Sequence, residues 1–152
     1  MYNLNERNIV DILKKLRERT SIITSLLFTE DGFLIAMEQA NFNEDEDYFQ
    51  SIAAICAGVI SLAENSLDNI KGIKLLKQIK IQAGNQLDDS GFMIILQSIT
   101  KEIIIAVIFP LYLNLGLILF ELNQTIKKLE NYFSTLTKTK ILDKITNSVN
   151  EL

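Results

Sequence analysis

The chain has 152 residues, of which 48% are hydrophobic and 22% charged, and its net charge is −4. One ordinary domain fits that length, and the composition can bury a real core, which excludes a disordered chain and leaves little room for a second core. Arg7, Arg17 and Arg19 are the only arginines, with no basic block and no interleaved aromatics, so nucleic acid is not an expected partner.

From the N-terminus, Met1 to Glu6 offers neither a basic n-region nor an apolar h-region, so no secretory signal is expected and the chain reads as cytoplasmic. Asn3 and Glu6 have capping-box spacing, and Ile9, Ile12, Leu13 and Leu16 make one apolar stripe, predicting a helix from about Leu4 to Glu18. Ser21 to Thr29 reads as a strand. Asp31-Gly32 then supplies the φ > 0 turn of a hairpin that returns through Phe33 to Met37. After the acidic stretch Asn41–Asp47, a long helix is expected from about Asp47 to Asn65 or a little beyond. The carboxylates of residues 44–47 sit where its dipole favours them.

Ile73 to Ala83 alternates: Ile73, Leu75, Ile79, Ile81 and Ala83 share one face, and Lys74, Gln78, Lys80 and Gln82 the other. This half-polar strand should lie at a sheet edge. Phe92 to Ile99 and Ile103 to Phe109 are further strands. The second of these is wholly apolar and should be central, covered on both faces. A third helix carries Leu115, Leu119, Leu122, Ile126, Leu129 and Phe133. Lys138 to Leu152 reads as an amphipathic extension with Ile141, Ile145 and Val149 in register. The run from Ile103 to Phe120 approaches bilayer length, but Pro110, Asn114 and Gly116 interrupt it, so it reads as two core elements and no membrane span is expected.

The chemistry-bearing motifs are missing. No histidine occurs, which removes Ser-His-Asp and Cys-His catalysis and most zinc sites. Neither a P-loop nor a dinucleotide-binding glycine pattern is found. Asn41, Asn43, Asp45 and Asp47 alternate as calcium ligands would. However, Glu46 stands where the loop needs Gly and Ile52 where it needs a bidentate Glu. Asp88-Asp89 beside Ser90-Gly91 reads as a turn, not as paired carboxylates across a cleft. The single cysteine, Cys56, excludes an intrachain disulfide and reads as a small buried thiol. An arginine finger from Arg17 or Arg19 is the one remaining catalytic idea, and arginines near a helix end are more simply solvated. No catalytic residue, cofactor or metal is therefore assigned, and the chain is not expected to be an enzyme.

The second helix carries two apolar stripes. Phe49, Ile52, Cys56, Ile60, Ala63 and Leu67 form one; Ile55, Val59 and Leu62 form another, with Ala54, Ala57 and Gly58 between them. A helix on one sheet buries one stripe, so the second points to cover from another copy; a single wide core stripe is the competing reading, because periodicity does not fix helix rotation. The edge strand beside it offers an isologous partner surface. The expected dimer interface is Ile55, Val59 and Leu62 on the helix with Lys77, Ile79 and Ile81 on the strand.

The ordered set of a helix ending before Ser21-Ile22-Ile23, the hairpin from Thr29 to Ala36, the helix Ser51 to Ala57 and the segment Leu115-Gly116-Leu117-Ile118 resembles the roadblock/dynein light chain family. The resemblance covers roughly Asn5 to Leu136, so residues 1–136 are expected to form a roadblock-like domain and 137–152 an extension. It implies an α+β fold of order α-β-β-α-β-β-β-α. The sheet would be five-stranded and antiparallel, with the first and last helices on one face and the second helix on the other. It further implies dimerisation through the third strand and second helix, and a role as regulator or scaffold of a Ras-like small GTPase or as an adaptor subunit. The alternative is a PAS- or GAF-like small-molecule sensor, which needs a cavity with convergent polar groups; the central strands offer mostly Ile, Leu, Val and Phe.

Overall fold

The computed structural model describes residues 4–40, 45–70, 72, 76–84 and 90–150. The elements are α1 (Leu4–Thr20), β1 (Thr24–Thr29), β2 (Leu34–Gln39), α2 (Glu46–Leu67), β3 (Gln78–Gly84), β4 (Gly91–Ser98), β5 (Ile103–Pro110) and α3 (Leu115–Asn150). All strand pairs are antiparallel, in the order β2-β1-β5-β4-β3. The all-apolar β5 is thus the middle strand and the half-polar β3 an edge, as their patterns require. The apolar run flagged for membrane length divides between β5 and the start of α3. The C-terminal extension is helical and continues α3 without a break to Asn150.

Two cores lie on opposite faces of the sheet. Ile9, Leu13 and Leu16 of α1 and Ile118, Leu122, Ile126 and Leu129 of α3 pack on Leu27, Ile95, Ile105 and Val107. On the other face, Phe49, Ala53, Cys56, Ala57 and Ile60 of α2 pack on Leu26, Phe28, Leu96, Ile104 and Ala106. Strand alternation sends Leu26 and Phe28 one way and Leu27 the other, which is why one sheet serves both layers.

Element ends depart from expectation for local reasons. Ser21 takes φ 62°, and its N–H donates to the Arg17 carbonyl at 2.8 Å, so α1 runs on to Thr20 and closes in a left-handed turn before β1 can begin at Thr24. The helix α2 begins earlier than expected, because the Asp45 carboxylate accepts from the Tyr48 N–H at 2.9 Å and caps it. The strand expected to begin at Ile73 starts at Gln78; Ile73, Lys74 and Leu75 lie outside the described residues, as does Asn3 of the expected capping box.

The hairpin turn is fixed to α2. Gly32 takes φ +88°, and a Cβ there would stand 3.0 Å from the Ala54 Cα, so both the turn and the close approach require glycine. Gln50 reaches across from α2. Its Nε2 donates to the Gly32 carbonyl at 2.6 Å, and its Oε1 accepts from the Leu34 N–H at 2.9 Å. Gln50→Ala should leave both backbone groups without these partners and lower stability by about 1–2 kcal/mol in urea unfolding. An unchanged midpoint would mean that water replaces the side chain at no cost.

Candidate interaction surface

On α2, the buried positions leave an outward row of Ser51, Ile55, Gly58, Leu62 and Asn65, spaced by four and three residues. Ile55 is 67% exposed and Leu62 70%, large values for aliphatic side chains on a helix that already buries one full face. Gly58 lies between them, and a Cβ there would meet nothing within 4 Å. Two apolar knobs flanking an open glycine form a surface that a second helix can approach closely. By length and composition α2 is the one helix among the described residues apolar enough to cross a membrane. Its apolar residues split between the sheet-facing stripe and this outer row.

The other residues named from sequence are placed differently from one another. Val59 is half-buried against the α2-side core, and Ile79 packs into the same core from β3. Ile81, opposite Ile94, lies on that sheet face and is half-buried. Lys77 is exposed just before β3 and lines a groove at the end of α2. The structure therefore leaves Ile55 and Leu62 exposed and Val59, Ile79 and Ile81 half-buried. Among the described residues β3 pairs only with β4, so its outer edge carries backbone groups with no strand opposite.

Elsewhere the polar side chains do structural work. Arg17 donates through Nε to Glu38 Oε1 at 2.8 Å and so ties α1 to β2, while Arg19, half exposed, makes a looser pair with Glu121 of α3 at 3.6 Å. Burial pushes the Cys56 thiol above its ordinary value, which disfavours the nucleophilic thiolate. Among the described residues no group of three His, Cys, Asp or Glu is arranged to hold a metal. Asp88, Asp89, Asn41 and Asn43 lie outside them.

Two surface clefts occupy the ends of the sheet. One of about 700 Å³ is lined by residues including Glu30, Glu64, Asp68, Lys77, Lys101 and Glu130. The other, about 600 Å³, lies among Ile23, Phe92, Pro110 and Tyr112. Sequence reasoning found neither cleft, because each is assembled from several distant segments.

No protein-family model and no curated protein sequence matches this chain. Solved structures do. MglB of Myxococcus xanthus superposes with a TM-score of 0.76 at 18% identity, over 90% of this chain and 95% of that one. An MglB solved in a tetrameric arrangement gives 0.70 at 16%, over 87% and 92%. A Roadblock/LC7 domain from Streptomyces avermitilis gives 0.70 at 16%, over 82% and 97%. The chain therefore has the roadblock/LC7 fold, and the resemblance read from its motifs holds at the level of architecture.

Proposed function

We propose that the chain is a non-catalytic, cytoplasmic, homodimeric binding module of roadblock type that scaffolds or regulates a Ras-like small GTPase. Residues 1–136 form the binding unit and 137–152 its extension. The observation that carries this reading is the outer row of α2, with Ile55 and Leu62 exposed on either side of Gly58, together with the edge strand β3, which among the described residues pairs only with β4. A two-fold axis near Gly58 sets Ile55 of one copy against Leu62 of the other, and pairing the two β3 edges extends one sheet across both copies.

Magnitudes decide what the dimer needs. Full burial of a Leu or Ile is worth about 1.5–3 kcal/mol, and these side chains are already partly covered, so about 1–2 kcal/mol each remains. Four of them give about 4–8 kcal/mol, at the low end of the cost of association. The helix contact alone is marginal, and the β3 ladder must supply the rest. The paired α2 helices then present a rigid platform that biases the switch loops of a GTPase, with no residue donated to the chemistry. The GTPase itself comes from the family resemblance, and a tetrameric MglB of the same fold supports self-association.

The test is light scattering coupled to size exclusion, on wild type, Leu62→Glu and Gly58→Leu. Val59→Glu is a poorer probe, because Val59 is half-buried and a charge there burdens the monomer as well. Gly58→Leu adds a good helix former where no atom is met, so the monomer should be more stable by about 0.5–1 kcal/mol while self-association is lost. A wild-type assembly that both substitutions reduce in size supports the reading, and retention of Ras-like GTPases by wild type but not Leu62→Glu supports the platform. A strictly monomeric wild type, or a dimer indifferent to Gly58→Leu, would sink it.

A further inference from the structure

The helix α3 is longer than its support. Its 36 residues span about 54 Å, whereas the longest strands, of 8 residues, span about 26 Å. Tyr132, Phe133 and Leu136 are its last half-buried side chains. From Thr137 to Asn150 every side chain described is exposed, over about 21 Å of helix. Leu142, Ile145 and Val149, three and four residues apart, form one stripe on this overhang, each more than half exposed. The sequence around the stripe is basic, with Lys138, Lys140 and Lys144 against Asp143. A continuous helix cannot fold back on itself, and among the described residues nothing covers that stripe.

The second half of the contact lies at the same end of the molecule. The cleft of about 700 Å³ there is bounded by the last turn of α2, the approach to β3, the β4–β5 turn and Glu130 of α3. Its walls combine Leu67, Leu76 and Ile99 with the carboxylates of Glu30, Glu64, Asp68 and Glu130. No ion pair joins these carboxylates to Lys77 or Lys101 of the same cleft. The electrostatics of α2 are uncompensated at this point: its last turn holds no basic residue, while Glu64 and the C-cap Asp68 add negative charge to the negative end of the dipole. Such a site favours a cation.

We infer that the α3 overhang of one copy docks in the acidic cleft of a second copy, and reciprocally, forming an end-to-end interface separate from the α2 face. Both halves lie at one end of the domain, so a single two-fold axis satisfies both, and the surface is complementary to itself in charge and polarity. The inference does not rest on the α2 dimer: a chain with both interfaces assembles beyond a dimer, and a chain with either alone stops at one.

The experiment is sedimentation velocity over a concentration series, in the Leu62→Glu background that removes the α2 contact. The expected result is a salt-sensitive dimer that Ile145→Asp weakens about a hundredfold, since the lost burial counts once in each copy. Two further variants test the pairing. One carries Glu64→Lys and Asp68→Lys, the other Lys138→Glu and Lys144→Glu. Each should be monomeric alone, and an equimolar mixture should dimerise, because only the mixed pair matches helix to cleft on both sides. A Leu62→Glu chain that stays monomeric at tens of micromolar would overturn the inference and leave the α2 platform standing. Charge variants that assemble alone, or a mixture of folded variants that stays monomeric, would overturn it too. Dimers lost to Ile145→Asp but kept by Leu62→Glu would retain this interface and discard the α2 platform.

Discussion

Phe28→Ala should lower the unfolding free energy by about 3–5 kcal/mol, measured by urea denaturation with two-state fits. Phe28 is 0% exposed and sits on β1, flanked by β2 on one side and β5 on the other, with its ring under α2. Little can collapse into the space it leaves. Its neighbours are strand residues fixed by ladders on both sides, and the helix above is held at Gln50 to the hairpin turn. The cost should therefore fall at the upper end of the range for a large-to-small change. Leu13→Ala, on the α1 and α3 side, removes a side chain that is equally buried from the other core. It should cost about 2–5 kcal/mol but leave α2 seated. The two variants thus separate stability from platform: at matched residual stability, only Phe28→Ala should weaken self-association through α2. Equal losses of association in both would mean that α2 is not positioned by its own core.

Cover on both faces of the sheet was legible in the pattern of its central strand, because strand alternation is local; which helix lies on which face was implied by the family resemblance alone. The all-apolar Ile103–Phe109 run could only be a strand covered twice, and it is the middle strand. The second apolar stripe of α2 was also legible, but not its rotation. Helical spacing groups Ile55, Val59 and Leu62 together, and only packing against the α2-side core turns Val59 inward while leaving Ile55 and Leu62 out. Gln50 was not readable at all: nothing marks a glutamine in the second turn of a helix as the partner of a carbonyl 18 residues earlier. The same holds for the clefts and for the join between α3 and its extension. Lys138 to Leu152 is amphipathic in its own right, and no Gly or Pro marks whether a helix ends before it or runs through.

Arg17 and Glu38 show how a candidate catalytic residue becomes a structural one, and the pair supports a second large effect. Glu38 is buried on β2 and sits in register opposite Ser25 of β1, whose buried hydroxyl has no hydrogen-bond partner. The Arg17 side chain, 25% exposed, reaches the carboxylate from α1. Removing either partner is not equivalent. Arg17→Met keeps most of the aliphatic stem but leaves a buried carboxylate without its cation, next to a hydroxyl already short of partners. The expected loss is about 3 kcal/mol, at the lower end of the range for breaking a buried pair because Arg17 keeps some contact with water. Glu38→Leu leaves a cation that can turn toward solvent, and should cost about 1–2 kcal/mol. The double variant replaces both charges with apolar groups and should be no worse than Glu38→Leu alone, a coupling of at least about 3 kcal/mol in the cycle. Strictly additive losses would mean that the two side chains act independently, and that the edge strand β2 is held to α1 by packing around Ala36 rather than by this ion pair.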